Sequence, residues 1–144
     1  MAHLETLTQA DFFSRLTPEQ LEKIATVSSV HEYPVASQIY SLDASAQYFY
    51  VLVEGMVRFN LTLGSRQASA GEILRRGAVF GWAALIENAQ RRIATASCMT
   101  RCVVLAIDGN RLLALMEQDH SLGYCIMKQL NILITGKMAA FAAG

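Results

Sequence analysis

The chain has 144 residues, of which 53 % are apolar and only 17 % charged, a packed globular composition and not that of a disordered chain. Twelve basic residues balance twelve acidic ones, so there is no global basic field to hold nucleic acid. No apolar stretch approaches the roughly 20 residues of a membrane span, and the N-terminal MAHLETLTQADF lacks the basic, apolar, small-residue order of a signal peptide. One cytoplasmic domain over residues 1–144 is expected, large enough to bury a core without disulfide or metal staples.

Three zones follow one another. A helical part is expected over about residues 8–30. Thr17-Pro18-Glu19-Gln20 is a helix start: Thr17 caps, Pro18 fits the first helical position and Gln20 closes a capping box. Leu16, Leu21, Ile24, Ala25 and Val27 then make one apolar face, and Phe12-Phe13 forms a helical turn before it.

A strand-rich zone is expected over about residues 31–107. Ile39-Tyr40 is a short strand. Tyr48 to Val53 is an apolar and aromatic run, and Met56 to Leu63 alternates Val57, Phe59 and Leu61 with Arg58, Asn60 and Thr62. With Glu54-Gly55 between them, the two runs read as a hairpin. Gly64-Ser65-Arg66-Gln67 is a polar turn. Glu72 to Leu74 and Ala78 to Phe80 are short strands, Arg92 to Ser97 alternates, and Cys102 to Ile107 is a buried strand. Short strands at regular spacing with Gly turns point to a barrel or jelly roll.

The third zone, about residues 108–141, is helical. Asp108 caps a helix carrying Leu112, Leu113, Leu115 and Met116, Asp119-His120-Ser121 breaks it, and a longer helix runs from about Leu122 to Phe141. Met127, Leu130, Ile134, Met138 and Phe141 are spaced 3, 4, 4, 3, a seam suited to the same helix of a second copy, so a homodimer is expected; packing of this stripe on the chain's own roll is the alternative.

The three cysteines, Cys98, Cys102 and Cys125, make no C-x-x-C, which argues against a disulfide framework or zinc site. Histidines 3, 31 and 120 lie far from one another and from any cysteine or carboxylate cluster. No paired carboxylates, Ser/His/Asp set or Cys/His set stands at useful spacing, so neither an enzyme nor a metal or cofactor is expected.

The order helix, Gly-punctuated strands, two helices carries a resemblance. Tyr48-Phe49-Tyr50-Val51-Leu52-Val53-Glu54-Gly55-Met56-Val57-Arg58 resembles the second hairpin of cyclic-nucleotide-binding domains. Leu74-Arg75-Arg76-Gly77-Ala78-Val79-Phe80-Gly81 resembles the approach to their phosphate cassette, and Phe80-Gly81-Trp82-Ala83-Ala84-Leu85 with Arg92-Ile93-Ala94-Thr95-Ala96 resembles the cassette itself. The likeness runs from about Phe12 to Met138. It implies a mainly β fold with flanking helices: a jelly-roll barrel, or β-roll, of about eight strands, one helix before it and two after.

The resemblance also implies a site at Gly81, Trp82, Ala83, Ala84, Arg92 and Ile93. A glycine admits close backbone approach, the turn after it offers free N–H groups to an anion, and an arginine supplies a planar donor fork. Alternation puts Arg91 and Arg92 on opposite faces, and the family pattern makes Arg92 the inward one. Three positions depart from the family. Trp82 stands where a glutamate accepts the ribose hydroxyl, Ile93 where Ser or Thr adds a phosphate contact, and Lys137 and Met138 where an ungapped alignment places the base-contacting pair. Loss of the buried acceptor costs about 1.5–3 kcal/mol.

Two readings follow. In the first, the domain is a sensor for cyclic AMP, cyclic GMP or another phosphate-bearing small molecule, signalling through its C-terminal helix to a further effector. In the second it binds no nucleotide, Trp82 plugs the pocket, Arg92 pairs with a carboxylate such as Glu87, and the domain serves in dimerisation or partner docking. Neither involves nucleic acid, a membrane or a helix-turn-helix.

Overall fold

Phe49 and Val51 face one way from a strand while Tyr50 and Leu52 face the other, and this alternation divides the core in two. The structure, a computed structural model, describes residues 2–63, 66–86, 91–136 and 143–144, with side chains described outside residues 2, 62–63 and 66–72. Lys137, Met138, Phe141 and Glu87, all named above, lie outside the described residues, as do residues 64–65 of the expected polar turn.

Two four-stranded antiparallel sheets face each other as a β-roll. The first has the order β1 (Ser28–Tyr33), β8 (Cys102–Asp108), β3 (Tyr48–Glu54), β6 (Val79–Phe80). The second has the order β2 (Gln38–Tyr40), β7 (Thr95–Cys98), β4 (Val57–Leu63), β5 (Arg66–Leu74). Even-numbered residues of β3 and β8, among them Tyr50, Leu52, Val104 and Ala106, meet Tyr40, Phe59, Phe80 and Ala96 inside the roll. Odd-numbered ones, Phe49, Val51, Leu105 and Ile107, face a helical layer carrying Phe13, Ile24, Leu112 and Leu122.

The helical layer has four α-helices: α1 (Ala2–Gln9), α2 (Pro18–Thr26), α3 (Gly109–Gln118) and α4 (His120–Gly136). There is thus one more helix ahead of the roll than the sequence suggested. A 3-10 turn at Asp11–Phe13 joins α1 to the α2 entry. The capping box at α2 is complete: the Gln20 N–H donates to Thr17 Oγ1 (3.2 Å), and the Thr17 N–H to Gln20 Oε1 (2.9 Å). Asp108 caps α3 by accepting from the Arg111 N–H (3.0 Å), and Asp119 caps α4 by accepting from Leu122 (3.1 Å).

Two further expectations are corrected. β3 and β4 do not form a hairpin: β3 pairs with β6 and β8, while β4 pairs with β5 and β7. At Gly55 the chain crosses from one sheet to the other with φ +104°, and a Cβ there would meet the Arg101 carbonyl oxygen at 2.5 Å. Arg66 and Gln67, expected in a turn, begin β5.

The seam on the last helix is also revised. Leu130 is only 2 % exposed and lies in the core with Leu122 and Ile126, and Ile134 packs against that core. The roll-facing side of α4 therefore takes residues that had been assigned to a second copy. Met127, 38 % exposed, is on the outer side with Tyr124 and Ile132. No helix among the described residues is long and apolar enough to cross a membrane.

Candidate functional site

Burying an arginine is expensive unless its donors are met, and Arg92 is 3 % exposed. Its backbone is pinned on both sides. The Arg92 N–H donates to Ala44 O (2.9 Å), and the Asp43 N–H donates to Arg92 O (3.0 Å). This anchorage sends the side chain inward ahead of β7, against the rings of Tyr40 and Tyr50, whose centroids lie 4.2 and 5.6 Å from its guanidinium carbon. Arg91 points outward, its side chain 69 % exposed, and donates to the backbone oxygen of Asp43 at 2.9 Å.

Three backbone oxygens accept from the Arg92 fork. Nη2 donates to Tyr48 O (2.6 Å), and Nη1 to Gly81 O (2.8 Å) and Gly144 O (3.1 Å). The Gly81 N–H donates to Ala143 O (2.6 Å), and the Tyr40 hydroxyl reaches the same oxygen at 3.4 Å. No Asp or Glu side chain among the described residues lies within ion-pairing distance of Arg92. Its Nε is buried and makes no hydrogen bond.

Gly81 is required by the local geometry. Its φ is +79°, and a Cβ would lie 2.9 Å from Arg92 Nη1 and from Tyr50 Cδ2. The residues after it, Trp82–Leu85, form a single 3-10 turn. The Ala84 N–H closes that turn on Gly81 O at 3.2 Å, so it is not among the free donors that the sequence reading had offered to an anion. At the far side of the turn a Cβ on Gly109 would meet Ala84 O at 2.6 Å, so the turn abuts the first residue of α3.

Burial and charge set the electrostatics. Burial lowers the pKa of the Arg92 guanidinium, opposed by Tyr40 and Tyr50. Burial raises both phenols, that of Tyr50 to about 12, with Arg92 pulling the other way. The site thus holds one cation beside two neutral phenols. Among the described residues no group of three or more His, Cys, Asp or Glu is placed to hold a metal ion.

This arrangement stands in known company. The family model described as the cyclic nucleotide-binding domain matches residues 30–119. The chain belongs to the cyclic nucleotide-binding domain family. A cGMP-dependent protein kinase of Plasmodium berghei is 28 % identical over 149 residues, which cover 90 % of this chain and 17 % of the kinase. The chain therefore spans about a sixth of that relative. A candidate cyclic nucleotide-binding protein from Geobacter metallireducens has a similar structure, with TM-score 0.81 and 27 % identity over 99 % of this chain and 98 % of its own. The regulatory subunit of a cAMP-independent protein kinase A from Trypanosoma brucei, in a mutant bound to cAMP, shares the fold at TM-score 0.82 and 16 % identity, over 96 % of this chain and 48 % of its own.

Within this cyclic nucleotide-binding domain, the departures from the family pattern acquire positions. Trp82 is 4 % exposed and packs in the core beneath the helices. One edge of its indole also faces Gly144, where a Cβ would lie 2.6 Å from Cε2 and Cζ2. Ile93 touches the same place, its Cδ1 2.8 Å from that Cβ position. Because Trp82 is a core residue, a glutamate there would bury a charge as well as open space. Tyr40, Tyr48 and Tyr50, which frame Arg92, were not singled out from the sequence. The available signal was the even spacing of Tyr48 and Tyr50, which turns both toward the inner side of β3. Ala143 and Gly144 gave no signal at all.

Proposed function

We propose that this domain is a regulatory sensor that binds a cyclic nucleotide or related phosphate-bearing ligand at Arg92 and signals through its C-terminal helices. The observation that carries this reading is the buried Arg92, with an unpaired Nε and no Asp or Glu partner among the described residues. An anion supplies what that guanidinium lacks, in a charge-assisted geometry suited to phosphate. The abutment of Gly109 against Ala84 gives a route from the cassette turn to α3 and on to α4. No catalytic role is proposed, and the setting is taken to be the cytoplasm.

The test is calorimetric titration of the protein with cyclic AMP, cyclic GMP and cyclic di-GMP, repeated on R92A and R91A. Binding to the parent protein and to R91A, with a loss of about ten- to a hundred-fold in R92A, is expected for the removal of charged hydrogen bonds. No binding of any of the three to a folded protein would favour the second reading, a docking module that uses no nucleotide. That reading draws on Trp82 standing in the core where the family has an acceptor. Self-association is proposed only through the outer side of α4, where Tyr124, Met127 and Ile132 are exposed.

A further inference from the structure

Ala143 is 3 % exposed and lies among the side chains that fill the roll, although it follows α4 by a stretch of chain rich in alanine. Its carbonyl takes the Gly81 N–H and the Tyr40 hydroxyl, and the backbone oxygen of Gly144 takes Arg92 Nη1. Gly81 and Arg92 are the groups that the proposed anion site needs, and a peptide segment of the same chain already holds both.

We propose that the segment carrying Ala143 and Gly144 is a built-in occupant of this site, so that an incoming ligand binds only by displacing it; the competition part of this rests on the function proposed above. The seat is shaped for small residues. A Cβ on Gly144 would fall 2.6 Å from the Trp82 ring and 2.8 Å from Ile93. These are two of the positions at which the cassette departs from its family, and here they form the walls against which the segment lies. The departures thus exchange contacts to a nucleotide for contacts to the chain's own backbone.

A tethered segment competes at high effective concentration without having to bind tightly. It lowers the apparent affinity of any other ligand by the fraction of time it leaves the site open. The segment meets the guanidinium through one oxygen, that of Gly144, where a phosphate offers several, and Arg92 Nε stays unpaired with the segment in place. The occupant is therefore displaceable, and the domain has a threshold set by its own chain.

Trp82 is the sole tryptophan, so its emission reports on the segment directly. G144L and A143K should each expel it, the first by collision with Trp82, the second by placing an ammonium in the roll. In both, with circular dichroism showing an intact fold, Trp82 emission should move to longer wavelength and the Gly81 N–H should exchange at least tenfold faster. Affinity for cyclic AMP should then rise about tenfold or more over the parent protein. Unchanged emission and unchanged Gly81 exchange in both folded variants would overturn the inference whatever binds. Equal cyclic AMP affinity in parent and variants, with the segment released, would overturn its role as a competitor. Release of the segment with no cyclic AMP bound by any form would leave the built-in occupant standing and remove the nucleotide reading instead.

Discussion

The guanidinium of Arg92 sits 4.2 Å from the centre of the Tyr40 ring and donates, on its other side, to the backbone oxygen of Tyr48 at 2.6 Å. It therefore serves the fold as well as any ligand. It bridges β2, β3 and the turn at Gly81.

Arg92→Ala should accordingly lower stability. It removes a donor from the part-buried Tyr48 carbonyl and the cation from beside two rings, a loss of about 2–3 kcal/mol. Arg92→Lys keeps charge but not the fork and should recover only part. Arg91→Ala, at an exposed ion pair, should stay within about 0.5 kcal/mol. Urea denaturation of the three proteins measures this, and equal midpoints for R91A and R92A would refute it.

Alkaline pH should destabilise the domain, in a window set by buried neutral acids. Burial pushes the Cys98 thiol from 9.0 up to about 11, and the Tyr50 phenol from 10.0 up to about 12, and it raises Tyr40 too. The folded state then holds protons that the unfolded chain has released. Stability is full below about pH 9, begins to fall as the unfolded thiol ionises, and falls further above pH 10 as the unfolded phenols do, until the folded values are passed. Each such group removes about 1.4 kcal/mol per pH unit inside its own window. Denaturant midpoints from pH 8 to 11 should decline, more shallowly in Tyr50→Phe. A flat profile over that range would contradict the burial seen here.

What could be read in the sequence, and what could not, follows the reach of each interaction. The capping box at Thr17 and Gln20 is local, and it forms as the residues suggest. β1 went unrecognised because Ser28-Ser29-Val30-His31-Glu32-Tyr33 has no buried row: it is an edge strand held by backbone pairing to β8. α1 is not legible for a different reason, since its burial at Leu7 comes from packing on α2, the 3-10 turn, β1 and β3, which a short helix does not display in its own residues. Periodicity found β3 and β4 but could not name their partners, which come from opposite sheets.

The site divides along the same line. Alternation separates Arg91 from Arg92, and the family pattern indicates which of them turns inward. The seat of Gly144 depends on Trp82 and Ile93, which are more than fifty residues away in the chain. No local pattern among Ala139, Ala140, Ala142 and Ala143 could announce it.

Gly55→Ala should be among the more damaging single-methyl changes in the chain. The backbone there is at φ +104°, and the added carbon would meet the Arg101 carbonyl at 2.5 Å and Cys102 Sγ at 2.8 Å. Left-handed strain alone costs about 1 kcal/mol or more, and the collision adds to it at the crossing between sheets. Gly136→Ala, with nothing within 4 Å of the new carbon at the end of α4, should be neutral or slightly stabilising, since alanine favours helix over glycine by up to about 1 kcal/mol. Thermal melts of the pair should separate clearly, and a Gly55→Ala protein as stable as Gly136→Ala would be inconsistent with this crossing.

The outer and inner sides of α4 should respond oppositely to charge. Leu130, 2 % exposed among Leu122 and Ile126, sits in the core beneath the helices. Leu130→Glu buries an unpaired carboxylate and removes a packed side chain, a combined loss above about 3 kcal/mol, so it should unfold the domain rather than dissociate a dimer. Met127, 38 % exposed on the other side, can carry a glutamate in water, and Met127→Glu should keep the melting temperature of the parent to within a few degrees. Any self-association through Tyr124, Met127 and Ile132 would then appear cleanly in that variant: light scattering should show Met127→Glu monomeric and folded where the parent is dimeric. A parent that is monomeric at high concentration would remove the dimer, while a Leu130→Glu protein that stayed folded as a monomer would return Leu130 to an interface between copies.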